Sequence, residues 1–315
     1  MDSCSRHRWS FCRGDVLSER AARWARAGAW CVATALLVLL VRSVDPARAL
    51  RVIEHTNGWW LVLAVLSNLS IQPFGALQWR ALLPNGVSVS VRRMVRLFSL
   101  TSVANNTTPS LIGHATGALL LAGEPGIGKA NALSVVALDQ IAVGVVKIAV
   151  IGLAASLLPL PGWMAQGLIG LALLVGVMLI AAIVIASRTR YLDALRQPTR
   201  FLRGVAFAVC VKAAEAAAIC CVQQAFGVDV TVQTVVVVLA ASALGSVVPI
   251  APANIGTYEA ASFGAYRYLG FNAETALGIA VVQHVCQLLP AVGAGYVLLS
   301  LPKLSSAPAS PKSLA

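Results

Sequence analysis

The sequence predicts an all-α integral membrane protein with about six spanning helices and two re-entrant, broken helical hairpins. Of its 315 residues, 58% are apolar and only 11% are charged, whereas a soluble globular domain carries about 25% charged residues. The apolar residues also form several runs of about twenty, the length of helix that crosses the hydrocarbon core of a bilayer. Both observations exclude an ordinary soluble domain.

The net charge of +12 fits a membrane topology better than a nucleic-acid-binding surface. Most arginines and lysines stand between apolar segments, as the positive-inside rule expects of cytoplasmic loops. No basic soluble domain is present to bind nucleic acid. The seven cysteines lack C-x-x-C spacing, and those in apolar segments are expected to pack as small hydrophobes. We therefore expect membrane lipids as partners, and neither a metal nor another cofactor.

The chain begins with a basic segment, residues 1–27, followed by the apolar run 27–44. No clear cleavage site follows this run, so we interpret it as an uncleaved first helix with a cytoplasmic N-terminus. A second helix runs from the interfacial pair Trp59–Trp60 to about Trp79. The arginines at 80–96 come next, on the expected cytoplasmic side.

Residues 97–122 have two interpretations, because the centre of this apolar stretch is polar and contains Pro109. If the stretch spans the membrane, the arginine-rich loop 188–203 lies outside the cell. If it enters and returns on the same side, that loop and most of the 24 lysines and arginines are cytoplasmic. The positive-inside rule favours the second interpretation, a re-entrant hairpin.

The second half begins after a tight outer turn at 159–162 and contains another break. Pro249 and Pro252 interrupt an apolar run, and a broken backbone at membrane depth must be buried or line a polar cavity. We therefore expect a second hairpin, entering from the outer side. The remaining predicted elements are three spanning helices, this hairpin, a last spanning helix and a disordered cytoplasmic tail, at about 131–158, 165–187, 204–225, 234–269, 275–301 and 302–315.

The two halves of the membrane domain, 28–301, share one order of elements. Residues 28–158 and 165–301 each contain helix, helix, broken hairpin and helix. Both hairpins contain the pattern Pro-x-x-x-Gly, at residues 109–113 and 252–256. Because each half crosses the membrane three times, the halves must be inverted relative to each other. This arrangement favours a transporter-like inverted repeat with a site near the membrane midplane.

Four stretches resemble the lysylphosphatidylglycerol synthase transmembrane-region family, over roughly residues 28–301. They are Arg80, the break Asn106…Pro109…Gly113, Asp139, and the motif Pro249…Pro252…Gly256…Glu259. The last is similar to the family's Pro-x-x-Pro-x-x-x-Gly-x-x-Glu signature. The resemblance implies a flippase-like domain of the bacterial cytoplasmic membrane, without the aminoacyl-transferase domain of the fused forms. Where the family often carries additional charged partners, this chain has His114, Gln140 and His284.

The candidates for a substrate path are Arg80, Asn106, Pro109, Gly113, His114, Asp139, Pro249, Pro252, Gly256, Glu259 and His284. Glu259 is either a carboxylate in a polar cavity or an acid that stabilises a helix N-terminus. His114 and His284 are either proton-coupling groups or hydrogen-bonded packing residues.

Further ionisable residues lie at membrane depth. Lys212 and Glu215, at i and i+3, are either functional candidates, as such groups are by default, or a structural ion pair. Lys147 shares roughly one face of a helix with Asp139, about 12 Å away.

The predicted function is the translocation of a phospholipid or lipid-linked headgroup, or an accessory role in it. The alternative is a membrane-embedded enzyme, or a subunit that assists a lipid- or glycan-modifying enzyme. The sequence lacks clustered acids, metal-ligand spacing and a nucleophile with a base, so it does not favour an enzyme. Residues 123–129 have the spacing of a phosphate-binding loop, but no Ser or Thr follows the lysine and no βαβ unit surrounds it.

Overall fold

The computed structural model describes residues 52–54, 56–108, 110–188, 197–246 and 252–300, and its regular elements are all helical. We number the α-helices in chain order: α1 (Gly58–Leu69), α2 (Ile71–Ala81), α3 (Val91–Thr107), α4 (Ser110–Ala122), α5 (Lys129–Leu157), α6 (Gly162–Arg188), α7 (Pro198–Ala225), α8 (Val232–Gly245), α9 (Thr257–Tyr268) and α10 (Ala273–Ser300). A short 3₁₀ turn, Pro252–Asn254, precedes α9. The predicted basic segment 1–27, first helix 27–44 and tail 302–315 lie outside the described residues.

Five helical segments of the described ranges are long and apolar enough to cross a membrane. α1 and α2 together form one of them, over Gly58–Ala81, and the others belong to α5, α6, α7 and α10. The interruption at Ser70 follows from Pro73, because its ring removes the N–H that would bond the carbonyl of Leu69. The prediction of an all-α, multi-pass membrane protein is confirmed.

The first hairpin consists of α3 and α4, which pack against each other and are 17 and 13 residues long. At about 1.5 Å per residue, each is shorter than the roughly 30 Å hydrocarbon core. Arg93, in the first turn of α3, pairs with Glu124, just after α4, with 2.6 Å between Nε and Oε2. The two ends of the hairpin therefore lie on the same side of the bundle. Arg200 joins this side by donating to the carbonyl of Leu83 over 2.8 Å.

The second hairpin consists of α8 and α9, 14 and 12 residues long, which also pack against each other. Its outer ends lie on the opposite side of the bundle. There, the N–H of Asn57 donates to the carbonyl of Ala225 at the end of α7. The hydroxyl of Tyr268, at the end of α9, donates to the carbonyl of Pro159 in the turn before α6. The two hairpins thus enter the bundle from opposite sides, as predicted.

The packing of the helices has the pattern of an inverted repeat. Within each half, the second arm of the hairpin packs on the last helix, so α4 lies on α5 and α9 lies on α10. Across the halves, α3 lies on α10 and α8 lies on α5. The second helices, α1–α2 and α7, pack along each other. When the two halves are exchanged, the same set of contacts results. This packing places the broken ends of both hairpins in the middle of the bundle.

Candidate functional site

The broken ends of both hairpins open onto one central cavity of about 570 Å³. The last turn of α3 contributes Asn105 and Asn106, and the beginning of α4 contributes His114. The second hairpin contributes Ser246, at the end of α8, and Asn254, in the 3₁₀ turn. Helix ends leave backbone groups without intrahelical partners, so such a meeting of ends suits a polar ligand.

Two lysines and a glutamate place charge on the cavity wall. Lys147, in the middle of α5, donates to Ser246 Oγ over 2.9 Å. Ser246 is the C-cap of α8, so the ammonium group stands at the negative end of that helix dipole. Lys212 Nζ donates to Glu215 Oε2 over 2.5 Å, which confirms the predicted pair. With all three groups ionised, their sum is one positive charge, which favours an anionic ligand.

Another wall of the cavity is apolar and belongs to α6. It is formed by Leu171, Leu174, Val175 and Met178. Leu174 is 48% exposed, so this wall continues onto the surface that a membrane would cover. A molecule with a polar head and an apolar tail fits this division between the two walls.

Glu259 and His284 form a buried pair behind the turn that borders the cavity. Glu259 lies in the first turn of α9, and its Oε2 accepts from the N–H of Gly256 over 2.7 Å. Its Oε1 lies 2.7 Å from His284 Nδ1, and Nε2 of the same ring lies 3.0 Å from the carbonyl oxygen of Ala253. Glu259 is therefore a helix-start carboxylate, as one interpretation predicted, and it is also paired with a histidine.

This pair holds an unusual backbone turn. Ala253 and Asn254 have φ values of 55° and 56°, and Gly256 has a φ of 87°. A left-handed backbone costs a residue such as alanine about 1–2 kcal/mol, whereas asparagine and glycine adopt it more readily. The hydrogen bond from His284 to Ala253 thus fixes the turn that presents Asn254 to the cavity.

A chain of buried side chains connects the pair to the rest of the bundle. Tyr258 stacks on the ring of His284, with centroids 4.5 Å apart. Gln283 Nε2 donates to Tyr258 Oη over 2.7 Å, and Tyr266 Oη donates to Gln283 Oε1 over 2.9 Å. A void of about 10 Å³ lies between α7 and α9, lined by both Glu215 and Tyr258, and its size suits about one water molecule. Tyr258, which stacks on the pair, and Glu215, of the charged wall of the cavity, therefore border the same small void.

The other predicted path residues lie in different places. Arg80 is exposed near the end of α2, and Asp139 is buried in α5, where Gln140 Nε2 donates to it over 2.9 Å. Neither residue lines the cavity.

Gly113 is the point where α4 packs most closely on Asn105. Pro109, Pro249 and the side chain of Pro252 lie outside what the structure describes.

Several cavity residues were not among the predicted path residues: Asn105, Lys147, Lys212, Glu215, Ser246 and Asn254. The signal for three of them was present, because ionisable groups at membrane depth are functional candidates. A local pairing explained Lys212 and Glu215 equally well in sequence, and nothing local connects Lys147 with a helix 99 residues away.

The described part of the chain offers no group of three or more His, Cys, Asp or Glu side chains that could hold a metal ion. Its four cysteines, Cys210, Cys220, Cys221 and Cys286, are free thiols.

The fold and the cavity define a class of protein: a multi-pass, all-α membrane protein whose two opposed hairpins meet at a polar site. The chain belongs to the family described as the lysylphosphatidylglycerol synthase TM region, whose sequence profile matches residues 27–295. The predicted resemblance is thus confirmed over most of the chain. No curated protein matches the sequence.

Proposed function

We propose that the protein moves a phospholipid or lipid-linked headgroup between the two leaflets of a membrane, alone or beside a lipid- or glycan-modifying enzyme. The observation that carries this proposal is the central cavity, which combines a charged wall with an apolar one. The headgroup would occupy the polar side, near Lys147 and Asn106, while the acyl chains stay along α6. Family membership supports a lipid-related role in the membrane.

The proposed membrane is the cytoplasmic membrane of a bacterium, with both termini in the cytoplasm. The side of the bundle that carries Arg93, Lys129 and Arg200 is the more basic one. Cytoplasmic loops carry an excess of lysine and arginine, so this side is assigned to the cytoplasm. The first hairpin then enters from the cytoplasm and the second from outside.

Reconstitution into vesicles tests the proposal directly. Purified protein is incorporated with fluorescent phospholipids that have anionic, zwitterionic or glycosylated headgroups. A quencher that cannot cross the bilayer then reports how fast the label leaves the inner leaflet. We expect at least one headgroup class to cross faster than in vesicles without protein. If every class crosses at the rate of protein-free vesicles, translocation is wrong.

The variant Lys147→Gln tests whether the cavity is the route. Hydrogen bonds to charged groups are worth about 1.5–3 kcal/mol, so loss of the ammonium group should slow an anionic lipid about tenfold or more. The matched control is Lys129→Gln, at the exposed start of the same helix. Equal rates for both variants would place the route elsewhere.

A further inference from the structure

We propose that Glu259 and His284 together form a site for a single proton, and that this proton couples lipid movement to a proton gradient. The coupling rests on the translocation proposed above, but the proton site rests on hydrogen-bond geometry alone. It also assigns a role to a pair that does not line the cavity itself.

The hydrogen bonds of the pair require one proton more than a carboxylate and a neutral imidazole contain. The carbonyl of Ala253 can only accept, so His284 Nε2 must carry a hydrogen. A neutral ring then has no hydrogen on Nδ1, which faces Glu259 Oε1 at 2.7 Å. Either Nδ1 is also protonated and donates to a carboxylate, or Glu259 is protonated and donates to Nδ1. Both arrangements hold the same extra proton.

Loss of that proton breaks one of the two hydrogen bonds. When the pair gives the proton to a water molecule, a carboxylate and a neutral imidazole with a single N–H remain. That N–H can serve Glu259 or Ala253, but not both. If it stays with Ala253, two acceptors face each other across 2.7 Å; if it moves to Glu259, the left-handed turn loses the bond that holds it.

Among the residues that the structure describes, no lysine or arginine pairs with Glu259 and could replace the proton. The ionisable groups of the surrounding helices include Tyr258 and Tyr266 of α9, Cys286 of α10, and Lys212 and Glu215 of α7, which pair with each other. α1 and α3 also pack on α10, where α1 brings the neutral side chain of Asn68 and α3 brings the side chain of Val103 and the backbone of Ser99. Both members of the pair are almost fully buried, at 6% and 3% exposure. The deprotonated pair would therefore leave an uncompensated negative charge in the bundle, which is strongly unfavourable.

The turn connects the proton to the lipid site. Ala253, which accepts from His284, directly precedes Asn254, which lines the cavity. The 3₁₀ turn also packs against α3, whose last turn lines the same cavity. Binding or release of one proton thus sets the position of a cavity wall residue, and occupation of the cavity in turn favours one protonation state.

The variant Glu259→Gln removes the exchangeable proton but keeps the hydrogen bonds. Its amide N–H can donate to Nδ1 of a neutral His284, and its carbonyl can accept from Gly256. His284 Nε2–H still serves Ala253, so all three contacts persist without a proton that can leave. The matched control, Glu274→Gln, makes the same chemical change in the first turn of α10, away from the cavity.

The test uses the full chain in vesicles with the fluorescent lipid that wild-type protein moves best, the membrane potential being held at zero. With one proton moved per lipid, a pH difference of about one unit should sustain about a tenfold ratio of labelled lipid between the leaflets. We expect this ratio for wild type and Glu274→Gln. Glu259→Gln should still equilibrate the lipid but give a ratio near one.

Two results would overturn the coupling. One is a wild-type protein that moves lipid with a ratio near one under the pH difference; translocation would then stand and coupling would fall. The other is a tenfold ratio that persists in Glu259→Gln. Infrared difference spectra across a pH titration test the proton site separately, even if no lipid moves. A carboxyl change present in wild type and absent in Glu259→Gln supports the site, and identical spectra refute it.

Discussion

At the scale of single residues, one imidazole ring joins three parts of the bundle. His284 contacts the carboxylate of Glu259, the carbonyl of Ala253 and the ring of Tyr258. It therefore fixes the start of α9 and the turn before it from a third position in the chain. Removing the ring takes one hydrogen-bond partner from the buried carboxyl group of Glu259 and the donor from the buried carbonyl of Ala253.

We expect His284→Ala to lower the free energy of unfolding by roughly 3–5 kcal/mol, because breaking a buried pair leaves an uncompensated charge. Glu259→Gln should cost less than about 1 kcal/mol, because a neutral partner for the ring remains. Unfolding of the purified proteins in detergent, followed by circular dichroism, measures both values. If both variants lose the same free energy of unfolding, the charge of the pair, and not the missing hydrogen-bond donor, determines its contribution to stability.

The sequence pattern singled out these residues as candidates but did not predict their contacts. Pro252, Gly256 and Glu259 were recognisable because a proline-broken apolar run ending in an acid is physically costly without a function. The partner of Glu259 lies 25 residues away on another helix, and no local pattern specifies that distance. His284 was a candidate, but its contact with Glu259 follows only from the packing of α9 on α10.

At the scale of elements, the first hairpin depends on a close approach between its two arms. A β-carbon added at Gly113 would lie 1.9 Å from Asn105 Oδ1 and 2.6 Å from Asn105 Cα. The second contact involves backbone, so rotating the asparagine side chain cannot relieve it. The hairpin therefore needs glycine at this position for its packing, whatever the backbone φ.

We expect Gly113→Ala to destabilise the protein by at least about 2 kcal/mol, since overpacking that moves backbone is costly. It should also slow lipid movement, because Asn105 and Asn106 line the cavity. The control is Gly152→Ala on α5, where an added β-carbon meets nothing within 4 Å and helix propensity improves by up to about 1 kcal/mol. Thermal unfolding in detergent and the vesicle assay measure both effects. A Gly113→Ala protein as stable and active as Gly152→Ala would contradict the close packing of the hairpin.

At the scale of the whole molecule, the architecture was more predictable than the site. Charge distribution and hydrophobic length predicted a first hairpin with both ends on one side, and helix boundaries within about six residues of those observed. Membrane thickness and leaflet charge act on every segment independently, so each segment can be predicted from its own sequence. The cavity, in contrast, cannot be predicted from the properties of any single segment. It exists because α5, α6 and α7 surround the hairpin ends, and Lys147 enters it through a contact with Ser246 of a distant helix.

The loops of the bundle lie on two distinct sides. Arg93 bonds Glu124 and Arg200 bonds Leu83, so the loops after α2, after α4 and before α7 lie on one side. Asn57 bonds Ala225 on the other side, where the loop 226–231 begins. The positive-inside rule assigns the first side to the cytoplasm.

Fluorescent-protein insertions after Gly123 and after Gln197 should therefore both fluoresce. A phosphatase inserted after Gly227 should be active, because this enzyme is active only outside the cytoplasm. Phosphatase activity, instead of fluorescence, after both Gly123 and Gln197 would contradict this sidedness: either residues 97–122 span the membrane or the whole bundle is inverted.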